Sequence, residues 1–199
     1  AAIGLDSIVQ LLLGLSGKQL ALGRGRGGRT ALHIAAACGQ AGVIHSLLAA
    51  APNTANWLDG QAATPLWLAA EAGWELAADL LLDVLGDSQL EPAANGRTAT
   101  HEAAVSGCLA VLERLLRLRP GSAAATDSVG RTALHVAAAA GQAGSVRLIL
   151  AAAPALVGAL GADRRTALAV ALADSHMAAA EVIMAASPTA AHLIVHNLA

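Results

Sequence analysis

Apolar and small residues recur along this chain in a block that repeats every 34 positions. Each copy opens with a threonine, then alanine or proline, in most copies a leucine, and an alanine-rich stretch. The five copies read GRTALHIAAACG, AATPLWLAAEAG, GRTATHEAAVSG, GRTALHVAAAAG and RRTALAVALADS, with the threonines at Thr30, Thr64, Thr98, Thr132 and Thr166. Self-similarity at a period of this size indicates stacked copies of one supersecondary unit.

Each block predicts a short first helix. Threonine is a good N-cap, and alanine or proline after it suits the first turn, so a helix is expected to begin after each threonine. Nine positions further on, a glycine supplies the left-handed conformation that ends a short helix. These glycines are Gly39, Gly73, Gly107 and Gly141, and Ser175 stands at this position in the last copy.

A second helix is expected after each of these positions, because paired apolar residues recur there. The pairs are Leu47 and Leu48, Leu81 and Leu82, Leu115 and Leu116, Ile149 and Leu150, and Ile183 and Met184. A proline then stops the helix in most copies, and a polar loop leads by a turn to the next threonine. The predicted unit is helix, turn, helix and long loop.

The threonine blocks resemble the T-P-L-H-x-A signature of the ankyrin repeat. The resemblance covers residues 28 to about 188 and implies an all-α solenoid of stacked helix-turn-helix units joined by β-turn loops. The signature histidine is present as His33, His101 and His135, but Trp67 and Ala169 replace it in the other copies. We expect these histidines to form hydrogen bonds at the turn between repeats.

The repeat positions predict a single domain over residues 1–199. Full repeats are expected at 28–61, 62–95, 96–129 and 130–163, with a degenerate C-terminal repeat at 164–199. Residues 1–27 are interpreted as a partial N-terminal repeat, in which IVQLLL is the second helix, so we expect the true N-terminus to lie upstream of Ala1.

Composition bears on whether the protein spans a membrane and on its redox compartment. Although 56% of the residues are hydrophobic, the apolar runs are shorter than the roughly 20 residues that a spanning helix needs, so we expect no membrane partner. Cys38 and Cys108 are expected two repeats apart, beyond the roughly 7 Å reach of a disulfide. Free thiols favour a reducing intracellular compartment such as the cytoplasm.

No catalytic or cofactor-binding motif is found. His101 and Glu102 begin a zinc-protease pattern, but Val105 stands where its second histidine belongs. His192 and His196 are four apart, and two ligands alone make a poor metal site. We therefore expect no enzymatic activity, no metal and no cofactor.

The glycine-rich segment GRGRGGR, residues 23–29, lacks the Lys-Ser/Thr of a phosphate-binding loop. It resembles an Arg-Gly segment that binds nucleic acid, but a flexible lead-in to the first full repeat is the favoured interpretation. The net charge of −2 also argues against a nucleic-acid partner.

A long concave surface without a catalytic site favours protein recognition. The predicted function is therefore a non-catalytic protein–protein interaction module, a scaffold or adaptor that binds its partner on the concave face and turn tips. Two alternatives are the substrate-recognition arm of a larger enzyme, such as a ubiquitin-ligase adaptor or a kinase, and a structural subunit of a large assembly.

Repeat two carries the candidate contact residues Trp67, Glu71 and Trp74. Tryptophan is enriched at binding hot spots, and the acidic residues of this repeat favour a partner with basic groups facing Glu71. Trp67 is interpreted as core in preference to contact, and Trp74 is the better exposed candidate. The arginines that directly precede the signature threonine form a second candidate set along the turn tips, interrupted at Ala63: Arg29, Arg97, Arg131 and Arg165.

Overall fold

The computed structural model describes residues 11, 12, 14, 19–85 and 96–186. It divides the chain into two compact units, residues 1–94 and 95–199, and each is treated by itself below. The single domain over 1–199 stays a prediction. Most of the IVQLLL segment, and the C-terminal block after residue 186 with His192 and His196, lie outside the described residues.

The helices follow the predicted pairs in both units. In the first unit they are α1 (Gln19–Leu22), α2 (Ala31–Ala37), α3 (Ala41–Ala50), α4 (Pro65–Glu71) and α5 (Glu75–Leu85). In the second unit they are α6 (Ala99–Ser106), α7 (Leu109–Leu118), α8 (Ala133–Ala139), α9 (Ala143–Ala152), α10 (Ala167–Ala173) and α11 (Met177–Ala186).

Successive blocks stack by pairing like helices. In the first unit α2 packs on α4, and α3 packs on α5. In the second unit α6, α8 and α10 pack in sequence, and so do α7, α9 and α11. Within the described ranges, β-type pairing is limited to isolated bridges at the turns, such as Arg24 with Thr30 and Thr126 with Thr132. The predicted all-α class of stacked helix-turn-helix units is confirmed.

The helix boundaries have the predicted chemistry. Each signature threonine has extended backbone at the N-cap of its helix, as with Thr30 (φ −87°) and Thr64 (φ −87°). The helix-ending glycines are left-handed, with φ between 65° at Gly39 and 74° at Gly107. Ser175 takes the same conformation at φ 62°, which is strained for a residue with a Cβ atom.

The core consists of the small and apolar residues that the pattern singled out. The alanines one turn into each first helix allow α2 and α4, or α6 and α8, to approach closely, and Ala36, Ala69 and Ala104 have no exposed surface. The apolar pairs of the second helices are buried up to Ile183, whereas Met184 is only half-buried.

Three of the segments after the second helices are more regular than the predicted long loops. In each of the three a proline occupies the first turn of a short 3-10 helix, at Pro52–Asn56, Pro120–Ala124 and Pro154–Gly158. The fixed φ of proline and its missing N–H suit this position, since the amide there has no partner within the helix.

Candidate functional site

The signature histidines join successive blocks by hydrogen bonds. Nδ1 of His135 accepts from the backbone N–H of Thr132 (3.3 Å) and lies 2.9 Å from its hydroxyl oxygen. Nε2 of the same ring lies 3.1 Å from the carbonyl oxygen of Arg165 in the next block. His33 reaches the carbonyl of Ala63 at 3.2 Å, and His101 repeats the arrangement in α6. The expected hydrogen bonding between repeats is confirmed.

The partners of these rings fix their protonation state. Because Nδ1 faces a backbone N–H donor and Nε2 faces a carbonyl acceptor, the neutral tautomer with hydrogen on Nε2 satisfies both nitrogens. Burial lowers the pKa of His33, His101 and His135 and outweighs the hydrogen bonds to carbonyl groups that act in the opposite direction. Because both ring nitrogens have hydrogen-bond partners, we interpret these histidines as structural residues.

Trp67 replaces the histidine in the second block. Its backbone N–H still donates to the Thr64 hydroxyl oxygen at 3.1 Å, so the N-cap is retained. The side chain is half-buried, and its buried Nε1 has no hydrogen-bond partner in the part of the chain that the structure describes. The bond that histidine makes elsewhere is therefore absent here.

Trp74 lies at the turn between α4 and α5 and is 46% exposed. Its Nε1 donates to the carbonyl oxygen of Ala37 at 3.0 Å. The ring covers Gly39 so closely that a Cβ atom there would come within 2.5 Å of Cδ2. Trp74 is thus exposed as expected, but it also links α5 to the end of α2, a contact that the sequence did not predict.

The residue that follows the helix-ending position makes this contact in three of the described blocks. In the second unit Gln142 packs over Gly107, and His176 packs over Gly141, in the place that Trp74 takes over Gly39. Tryptophan, glutamine and histidine at this position thus all contact the glycine of the preceding block. The 34-residue period predicted where this residue stands in each block, but it did not predict the contact with the glycine of the preceding block.

Glu71 lies at the other end of the same turn. It is the last residue of α4 and is exposed, three positions before Trp74. Glu75, Asp79 and Asp83 follow on α5 at intervals of four, a spacing that places them on one face of the helix. The structure thus brings Glu71 and Trp74 to one turn.

The four arginines before the signature threonines occupy separate turns, Arg29 in the first unit and the others in the second. Arg29 Nε lies 3.1 Å from Asp59 Oδ2, and Arg97 Nε lies 2.9 Å from Glu102 Oε1. Arg131 pairs with Asp127 at 2.9 Å. Carboxylates therefore offset the charge of three members of this set.

Arg165 differs from the other three. Its Nη2 donates to the carbonyl of Ala169 at 3.2 Å, and the residue is exposed.

The aspartates that pair with arginine also hold the turns. Oδ1 of Asp59 accepts from the N–H groups of Gln61 (2.8 Å) and Ala63 (3.0 Å). Burial acts to raise the pKa of Asp59, but these N–H groups and Arg29 outweigh it and keep the pKa below its ordinary value. Asp127 behaves in the same way. The repeat pattern did not predict a role for these carboxylates, although Asp127 stands four positions before Arg131.

Two cysteines lie in the described ranges. Cys38 is exposed, Cys108 is buried, and neither is part of a disulfide. No group of three or more histidine, cysteine or acidic residues that could hold a metal ion occurs among the described residues. None of the helices described here has both the length and the apolar character of a membrane span.

Comparison with known families gives two matches. A model described as ankyrin repeats, in three copies, matches residues 42–122. A single ankyrin-repeat model matches residues 129–159. Together they cover more than half of the 199 residues. The chain belongs to the ankyrin-repeat family.

Proposed function

We propose that the protein is a non-catalytic scaffold or adaptor that binds a partner protein at the α4–α5 turn, with Trp74 at the centre of the contact. Ankyrin repeats are generally protein–protein interaction modules and are typically non-catalytic. The observation that carries the proposal is a tryptophan that is 46% exposed and yet held in place by the carbonyl of Ala37.

A fixed, half-exposed tryptophan is suited to binding. Tryptophan supplies a large contact area, and a side chain that is already immobilised loses little conformational entropy when a partner covers it. Leu76, two residues further on, is 72% exposed and adds apolar surface. Positions equivalent to Trp74 carry glutamine at Gln40 and Gln142, so the repeat does not itself require an aromatic residue here.

The charge near this turn favours a partner with basic groups. Glu71 is exposed beside Trp74, and the second block contains no lysine or arginine. Complementary charge increases the rate of association and selects among partners more than it adds affinity. Arg29, Arg97, Arg131 and Arg165 are proposed as further polar contacts, with Arg165 the most available because it has no carboxylate partner among the described residues.

Affinity capture from a native extract tests the proposal with three forms of the protein. Trp74→Gln removes the aromatic surface but restores the residue found at the equivalent positions 40 and 142. Met177→Gln removes an apolar side chain of similar exposure, 56%, from α11 and serves as the matched control. We expect Met177→Gln to retain the captured partner and Trp74→Gln to lose it. Retention by Trp74→Gln would place the contact elsewhere.

A further inference from the structure

The second helix of the second block, α5, carries large apolar side chains outside its buried face. The buried face consists of Ala77, Ala78, Leu81, Leu82 and Leu85. Leu76, Leu80 and Val84 are spaced by four, so they form a separate row along the helix. Leu76 is 72% exposed, Val84 is 44% exposed, and Leu80 is half-buried. These three residues are called the apolar stripe.

An acidic row runs beside the apolar stripe. It consists of Glu75, Asp79 and Asp83, each of which directly precedes a residue of the stripe. Successive residues of an α-helix are rotated by about 100°, so the buried face, the acidic row and the stripe occupy three different sectors of α5. The sequence between Arg29 and Arg97 contains no lysine or arginine, so the charged side chains of this part of the chain are acidic.

The repeat itself does not require the apolar stripe. Each of the other second helices that the structure describes has a small or charged residue in at least one of the three positions. The equivalent residues are Gly42, Ser46 and Ala50 on α3, Ala110, Arg114 and Leu118 on α7, Gly144, Leu148 and Ala152 on α9, and Ala178, Val182 and Ala186 on α11. Packing between blocks therefore does not explain the large apolar residues at both ends of the stripe.

The acidic row is also particular to α5. At the three equivalent positions, the other described second helices have at most one acidic residue, such as Glu113 on α7 and Glu181 on α11. The apolar stripe and the acidic row thus occur together on one helix, and this coincidence is not a property of the repeating unit.

The spacing of the stripe matches the face of a second helix. From Leu76 to Val84 the stripe covers two turns, or about 12 Å. Helices that dock on a protein surface bury residues spaced three and four apart, and the stripe offers the same spacing. Trp74 stands two residues before Leu76, so the stripe begins beside the proposed Trp74 contact.

We propose that the apolar stripe binds an amphipathic helix of the partner protein whose apolar face is bordered by lysine or arginine. The apolar face would cover Leu76, Leu80 and Val84, and the basic side chains would face the acidic row. Complementary charge of this kind selects among helices of similar hydrophobicity and increases the rate of association. The proposal rests on the proposed function, since it describes the part of the same partner that lies beside Trp74.

A second copy of this chain is the alternative occupant of the stripe. In an antiparallel two-fold contact between the α5 helices of two copies, the two acidic rows would lie on the same side and repel each other. A basic helix of a different protein avoids this repulsion, and for that reason it is the favoured occupant.

Amide chemical shifts of the whole chain test this site with two helical peptides. The probe is KLLKLLKKLLKLLK, in which lysines border a leucine face. The control is ELLELLEELLELLE, which has the same leucine face and the opposite charge. We expect saturable shifts at the amides of α5 with the lysine peptide and none with the glutamate peptide.

Two variants show whether the stripe makes the contact. The double variant Leu76→Ala/Val84→Ala should weaken binding of the lysine peptide at least about tenfold, because it removes the two most exposed side chains of the stripe. Its urea midpoint should stay close to that of the parent, since α11 has alanine at both positions, as Ala178 and Ala186. Leu109→Ala removes an apolar side chain of similar exposure, 43%, from α7 and should bind like the parent.

Four outcomes would overturn the proposal. The double variant could bind the lysine peptide within about twofold of the parent, the glutamate peptide could bind as tightly as the lysine peptide, or the shifts could centre outside α5. The fourth outcome is a dimer of the parent, seen by sedimentation, that the double variant does not form. This result would assign the stripe to a second copy of the chain.

The captured partner separates failure of this proposal from failure of the proposed function. If Trp74→Gln loses the partner and Leu76→Ala/Val84→Ala keeps it with full affinity, the Trp74 contact stands and the helix-binding stripe does not. If only the double variant loses both the partner and the lysine peptide, the stripe stands and the Trp74 contact does not.

Discussion

Mild acidification should destabilise this protein through its three signature histidines. His33, His101 and His135 are buried and neutral, and both ring nitrogens are engaged by groups that the imidazolium form could not satisfy together. Protonation would place a hydrogen on Nδ1, which already faces a backbone N–H. The folded state therefore resists binding a proton that the unfolded chain accepts readily.

The direction of the effect follows from the lowered pKa values of these rings. The unfolded chain binds protons near the ordinary histidine pKa of about 6.5, whereas the folded chain binds them only at lower pH. The stability that the histidines contribute is thus complete above about pH 6.5 and is lost as the pH falls toward the folded pKa values.

The expected change in the free energy of unfolding with pH is large for so few residues. One buried neutral histidine contributes a slope of up to about 1.4 kcal/mol per pH unit, and three together contribute up to about 4 kcal/mol per pH unit. The first unit contains His33, and the second contains His101 and His135, so the second unit should lose stability about twice as steeply.

Urea unfolding followed by far-UV circular dichroism, at a series of pH values from about 8 to about 5, measures this slope. The control is His135→Gln, which keeps an N-capping partner for Thr132 because glutamine at this position completes a capping box. It cannot titrate, so about one third of the slope should disappear. It also leaves the Arg165 carbonyl without its partner, at a cost of about 1 to 3 kcal/mol at high pH.

Two results would refute the proposed role of the histidines. One is a free energy of unfolding that stays constant from about pH 8 to about pH 5, and the other is a His135→Gln slope equal to that of the parent.

Three further predictions concern the repeat itself. Gly107→Val should lower the free energy of unfolding by roughly 1 to 2 kcal/mol or more, measured by urea denaturation, because φ is 74° and the new Cβ would meet Gln142 Oε1 at 2.6 Å; an unchanged midpoint would contradict the left-handed assignment. Leu82→Ala should cost roughly 2 to 5 kcal/mol in the same assay, because Leu82 is 2% exposed, and a parent-like midpoint would show that α5 does not pack as described. Amide hydrogen exchange should be faster in residues 166–199 than in 98–150, because Ala169 replaces the histidine of the capping box and Ser175 is strained; equal protection would show that these losses are compensated.

The features that repeat were predictable from the sequence. Threonine caps, helix-ending glycines and buried pairs such as Leu115 and Leu116 depend on local backbone preference and helical spacing, and both are visible in a single block. The histidine bonds were also predictable, since His33 and His135 share a register with a family signature. Because the unit is repeated, each of these features could be seen at the same position in several copies.

The contacts that depend on how successive blocks pack against each other were not predictable from the sequence. The bond from Trp74 to Ala37 spans 37 positions, and the ion pair from Arg29 to Asp59 spans 30. These distances depend on how one block packs against the next, which periodicity does not specify. The contacts of the turn at residues 24–30 were not predicted for the same reason, because they are made with Gly60 and Leu58 in the following block.

The dissociation constant of the partner complex measures the proposed contribution of Trp74 to binding. Isothermal titration would compare the parent, Trp74→Gln and Met177→Gln against the partner purified by capture, with the urea midpoint of each sample measured alongside. We expect Trp74→Gln to bind about thirtyfold more weakly, a loss of about 2 kcal/mol, while its urea midpoint stays close to that of the parent. A Trp74→Gln protein that is folded and binds within about twofold of the parent would contradict this expectation.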